Sequence, residues 1–112
     1  MNTLRNRVQL IGNLGNNPEV KELSQGTKVA RMSIATNESY KNQNGEKVTE
    51  TNWHNLVAWG KTAEIVDKLL KKGFEVAVEG KLVTRDYEAK DGTKRQITEV
   101  QVSEVLLLNS RD

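Results

Sequence analysis

The sequence predicts a mainly β fold: a five-stranded antiparallel barrel with one α-helix between the third and fourth strands. Three observations predict it. Asn44-Gly45 and Asp91-Gly92 are dipeptides that tolerate positive φ and so mark tight hairpin turns. Five runs alternate with a period of two, which sends neighbouring side chains to opposite faces of a strand. One segment instead repeats at helical spacing. The length of 112 residues suits one domain, expected over residues 1–108, with 109–112 as a short C-terminal remnant.

Taken in order, Asn6 to Gly12 is the first predicted strand. Asn13 to Pro18 reads as a loop and Ser24-Gln25-Gly26 as a turn. The second strand is Lys28 to Ser39, with Ala30, Met32, Ile34 and Thr36 on one face. The third is Thr49 to Trp59. A helix follows, carried by Ala63, Ile65, Val66, Leu69 and Leu70. Thr62 is expected to cap its start, Lys71 and Lys72 to face the negative end of its dipole, and Gly73 to take the left-handed position beyond it. The fourth strand is Phe74 to Arg85, with Val76, Val78, Gly80 and Leu82 on one face, and the fifth is Gln96 to Leu107. Three strands, a helix and two strands in a chain this short suggest a small antiparallel barrel; the OB-fold has this order, which other small α+β folds can share.

Composition narrows the function. There is no cysteine, hence no disulfide and no thiolate metal site, and a single histidine, His54, cannot build a histidine-rich one. No P-loop glycine pattern occurs, and the carboxylates are scattered. An enzyme therefore ranks last, and no cofactor or metal is expected. No signal peptide or transmembrane run is visible, so no membrane partner is expected. Seventeen basic against fifteen acidic residues leave a net charge of only +2, so the placement of charge matters more than its sum.

The scarce aromatics carry the most information. Trp53 and Trp59 are six residues apart in one predicted strand and so share a face, with Asn55 and Val57 between them. His54, Leu56 and Ala58 form the other, core-like face. Two tryptophans on one face can be core, but a small barrel has one inside, and the alternate face already fills it. By the same parity Lys81, Arg85 and Tyr87 share a face. Alone they read as a solvated surface with one stray tyrosine. Tyr40, Lys41 and Lys47 flank one hairpin turn, and Tyr87, Lys90, Lys94 and Arg95 the other. Flat rings beside cations suit single-stranded nucleic acid, where bases stack on aromatics and cations displace counterions from phosphates. A duplex hides those base faces.

Several segments together resemble one family. They are Val8 to Gly15 with Pro18-Glu19, Ala35 to Tyr40, Trp53 to Lys61, Val78 to Tyr87, and Thr98-Glu99-Val100. In order and spacing they resemble the bacterial single-stranded DNA-binding proteins nearly end to end. The resemblance implies an OB-fold homotetramer that binds single-stranded DNA with little sequence preference and protects it in replication, recombination and repair. A cytoplasmic, nucleoid-associated location follows from the same resemblance. It implies stacking by Tyr40, Trp53, Trp59 and Tyr87, where the family often has tryptophan at the first and last and phenylalanine at the third. It implies backbone contacts by Arg7, Lys61, Lys72 and Arg85. Lys81 and Asn55 join the expected DNA-binding set, although Asn55 replaces a commonly basic residue. The match also puts His54 near a subunit interface. Family members usually continue into a linker and an acidic tip that recruits replication and repair enzymes. This chain stops at Leu106 to Asp112, so direct DNA binding without such recruitment is expected. The competing readings are an OB-fold module that binds protein and one that binds RNA or oligosaccharide.

Overall fold

Seven elements follow one another in the computed structural model, which describes residues 4–23 and 25–110. They are β1 (Val8–Leu14), β2 (Glu19–Glu22), β3 (Lys28–Lys41), β4 (Lys47–Trp59), α1 (Gly60–Leu69), β5 (Glu75–Glu88) and β6 (Lys94–Asn109). The strands form one sheet in the order β1-β5-β6-β4-β3-β2, and β1 also pairs with β3, which closes a barrel.

Closure depends on the backbones of β1 and β5. β1 runs beside β5 from Val8 to Asn13, then reaches β3 with Asn13 opposite Ala35 and Leu14 opposite Ile34. Gly12 makes this crossing possible, because a Cβ there would come within 2.9 Å of the Ala35 carbonyl carbon. Gly80 plays the same part between β5 and β6, where a Cβ would come within 2.8 Å of the Gln101 carbonyl carbon. The β5–β6 register slips at that point, between Glu79 and Gly80, and the bulge lets the sheet curl. β4 and β6 meet in parallel over Leu56–Val57 and Val100–Gln101, so the barrel is not wholly antiparallel as expected.

The core fills the interior with Leu14, Ala30, Met32, Ile34, Leu56, Ala58, Val76, Val78, Val100 and Val102. Helix α1 plugs one end with Ala63 and Val66, and Leu70 follows them in. The alternation read for the second, third and fourth predicted strands thus reappears as inward and outward faces.

The helix lies between the fourth and fifth strands, not the third and fourth. The added strand is β2, whose Glu19-Val20-Lys21-Glu22 has one half-buried apolar residue and no alternating pattern. Only its antiparallel pairing with Arg31 to Lys28 of β3 makes it a strand. The expected turn at Ser24 falls partly outside the described residues, although Gly26 N donates to the Leu23 carbonyl at 2.9 Å. Both long hairpins are also strand almost to their tips, with Lys41 opposite Lys47 and Glu88 opposite Lys94. β6 ends at Asn109, and residues 111–112 lie outside the description.

The helix ends differ from expectation as well. Its N-cap is Trp59, with no side-chain cap bond, so Thr62 lies inside the first turn. Leu70 is an extended C-cap, and Gly73 supplies its positive φ in the following turn, where Phe74 N donates to the Lys71 carbonyl. Lys68 is the basic residue of the last turn. Ile65 and Leu69, read as part of the apolar stripe, are exposed, and so is Leu82.

Candidate nucleic-acid interface

The site rests on the outward face of β4. Trp53 is 61% exposed and Trp59 43%, and Asn55 between them is exposed too. Val57 shares their parity but is only 3% exposed. Sheet order explains this. β4 lies between β6 and β3, and Val57 is opposite Arg31 of β3 and Gln101 of β6. Arg31 Nη1 donates to Glu99 Oε2 of β6 at 2.6 Å, so the ion pair passes over β4. Bridging two strand spacings, about 10 Å, needs the reach of an arginine.

Trp53 is held by the loop between β1 and β2. A Cβ on Gly15 would lie 2.9 Å from Trp53 Cη2 and 2.8 Å from Ser33 Oγ, so the ring rests where Gly15 has no side chain. The loop is fastened underneath. Gly15 N donates to the Ser33 carbonyl at 3.0 Å, and Asn16 Oδ1 accepts from Ser33 N and Oγ at 2.9 and 3.0 Å. Gly15→Ala is therefore expected to lift the Trp53 ring and weaken oligo-dT binding by about tenfold, within the range of one lost stacking platform. Titrating the variant beside the parent checks this, and equal affinity would show that the ring's seat does not matter.

The two hairpins flank this face. Tyr40 is exposed on β3, and its hydroxyl donates to Glu50 Oε1 at 3.1 Å. On β5, the Arg85 guanidinium carbon lies 5.9 Å from the centre of the exposed Tyr87 ring, within cation–π range. Arg85 Nε also donates to Glu99 Oε1 at 2.8 Å. Near the β5–β6 tip, hydrogen bonds from the Thr93 hydroxyl and amide hold the Asp91 carboxyl below its ordinary pKa. The nearby Arg95 pairs with that carboxylate at 3.7 Å.

The expected cations divide into two groups. Arg7 forms an ion pair with Glu79, and Arg85 with Glu99, so neither is a bare charge. Lys61, Lys72 and Lys81 are exposed, and among the described residues no carboxylate pairs with them. Lys72 is placed by its own backbone, whose N–H donates to Asn17 Oδ1 at 2.9 Å. His54 lies half-buried on the opposite parity, with Nε2 3.1 Å from Thr36 Oγ1.

Sequence reading missed Arg31 and the role of Glu99. Arg31 sits between the core residues Ala30 and Met32, which marks it as outward, but nothing local names its partner 68 residues away. Glu99 is 4% exposed and is the one buried charged residue among those described. Among them, no group of three histidine, cysteine or acidic side chains gathers to hold a metal, and no helix is long and apolar enough to cross a membrane.

Rings, cations and an open sheet face on a small barrel suit a flexible strand of nucleotides, and the comparisons agree. Residues 5–108 match the profile described as the single-strand binding protein family. The chain is similar to Single-stranded DNA-binding protein 1 of Chlorobaculum tepidum, 42% identical over 108 residues, covering 96% of this chain and 67% of that protein. It is 40% identical to the Single-stranded DNA-binding protein of Neisseria meningitidis over 107 residues, 96% of this chain and 62% of that one. The chain thus spans about two thirds of the length of these relatives. Its fold is similar to a chain of a Plasmodium falciparum SSB complex with ssDNA, with a TM-score of 0.83, 36% identity, and coverage of 93% of this chain and 95% of that one.

Proposed function

The chain belongs to the single-strand binding protein family, and from that membership we propose that it binds single-stranded DNA with little sequence preference. Its role is to hold and protect exposed strands in replication, recombination and repair, by binding and not by catalysis. The observation that carries this reading is the pair of exposed tryptophans on one outward strand face, at opposite ends of a stretch of β4. Trp53, Trp59, Tyr40 and Tyr87 stack bases, and Asn55, Lys61, Lys72, Lys81, Arg7 and Arg85 line the path of the phosphates. Stacking tolerates any base because every base has a π-face.

We also propose that the chain works as a homo-oligomer, a tetramer by its family. Two features support self-association. Val8 to Gly12 of β1 pairs with β5 on one side only, which leaves a strand edge open among the described residues. Beside it, Ile11, Ala77 and Leu106 stand in one row across β1, β5 and β6, and Ile11 and Leu106 are exposed. Ile65 joins them around a groove of about 620 Å³. An apolar face of this kind on a small domain is a contact surface. His54 is the other residue assigned to a subunit contact, on the family resemblance.

The test is a tryptophan-fluorescence titration with oligo-dT beside duplex DNA, at low and high salt. Strong quenching by the single strand, a weak response to duplex and affinity that falls with salt are expected. No quenching at low salt would overturn the reading and favour a protein partner at the tryptophan face. Quenching independent of salt would favour an uncharged ligand.

A further inference from the structure

We propose that Arg31, Glu99 and Arg85 form a preassembled phosphate clamp across the DNA-binding face, with Glu99 as the residue that positions both guanidinium groups. The inference rests on the single-stranded DNA reading above.

A carboxylate on a face meant for phosphates is an oddity that asks for a reason. Glu99 is nearly buried, and a buried charge persists only when paired. Both of its oxygens are taken: Oε2 by Arg31 Nη1 at 2.6 Å and Oε1 by Arg85 Nε at 2.8 Å. The trio therefore carries a net charge of +1 and does not repel a phosphate.

The geometry leaves the arginines half used. Each guanidinium has five N–H donors in a planar fork, and here each spends one nitrogen on Glu99. No further hydrogen-bond or ion-pair partner of either group occurs among the described residues. Their side chains remain 41% and 44% exposed. Arg85 is further braced over the Tyr87 ring. Arg31 stands opposite Val57, on the stretch of β4 between Trp53 and Trp59 and nearer Trp59. A backbone strung between bases stacked on those two rings passes over this point. Anchored arginines lose less side-chain freedom on binding than free lysines, which is the advantage of preorganisation.

The sign of one substitution separates this from plain electrostatics. Removing a negative charge from a DNA-binding face should strengthen binding if Glu99 merely opposes phosphate. If Glu99 positions the arginines, Glu99→Gln weakens binding, because a neutral amide holds guanidinium groups less firmly.

The experiment is an oligo-dT titration over a salt series with the full chain and the variants Glu99→Gln, Arg31→Gln, Arg31→Lys and Arg31→Gln/Arg85→Gln. Arg31→Gln serves if Glu99→Gln does not fold, since Arg31 is part-exposed. Arg31→Gln is expected to weaken binding about tenfold, the worth of one charged hydrogen bond. The slope of log affinity against log salt should fall by about 0.7, the value for one phosphate on a single strand. Arg31→Lys should restore the slope but not the full affinity. Glu99→Gln should weaken binding several-fold in the parent and have little further effect in the double-arginine variant. Tighter binding by Glu99→Gln would overturn the clamp. So would an Arg31→Gln variant that melts earlier yet keeps the parent's affinity and slope, which would make the trio a staple between strands. If the parent chain fails to bind oligo-dT at all, the single-stranded DNA reading falls, and the clamp falls with it.

Discussion

Replacing Trp53 and Trp59 together by alanine is expected to lower affinity for oligo-dT by about 2–6 kcal/mol while leaving the fold intact. Each lost stacking platform is worth about 1–3 kcal/mol. The two residues are six apart on an extended strand, hence about 20 Å from one another, so their effects should add. Trp53 is 61% exposed and Trp59 43%, and neither belongs to the core, so little core packing is lost. The measurement is a competition titration with labelled oligo-dT, since the variant has no tryptophan signal of its own. Far-UV circular dichroism and urea unfolding run beside it. An affinity within threefold of the parent would mean that neither ring stacks on a base. A collapsed urea midpoint would mean instead that the rings stabilise the barrel.

Gly80→Ala should have the largest effect on stability. The added Cβ would meet the backbone of β6, 2.8 Å from the Gln101 carbonyl carbon and 3.0 Å from Val102 Cα. A flexible side chain can swing aside, but a paired strand cannot, so the bulge must open or β6 must shift. Forced overpacking costs about 1–3 kcal/mol and occasionally more. For a domain of this size that is a fall in Tm of roughly 10 °C. Thermal unfolding at fixed protein concentration reads it, because association shifts apparent stability. An unchanged Tm would show that the close approach at Gly80 is not what shapes the barrel. Below its lowered Tm, the folded variant should still bind oligo-dT, because Gly80 contributes no side chain to the proposed DNA contacts.

Much of the fold was legible in local pattern. Period-two alternation placed Ala30, Met32 and Ile34 inside, and helical spacing found α1. Parity set Trp53 and Trp59 on a shared outward face. β2 was not legible, because Glu-Val-Lys-Glu buries only part of one apolar side chain and becomes a strand by pairing with β3. The hairpin arms were read short for a related reason: beyond the barrel both of their faces meet water, so no alternation marks them. Ile65 and Leu69 misled in the opposite sense. They repeat with the helix, yet they stand outside the core.

Local sequence pattern was enough to set the alternation of faces, the two hairpin turns, the helix after β4 and the scarcity of groups able to do chemistry, because each depends on residues close along the chain. Tertiary structure alone decided how charge is arranged on the binding face. Arg7 and Arg85 were expected as backbone contacts with no carboxylate beside them named, yet the fold pairs them with Glu79 and Glu99, and Arg31 had no assigned role until β6 brought Glu99 across β4. Ion pairs form over a few ångströms of space, whatever the distance along the chain, and the order of strands in the sheet sets which charges meet.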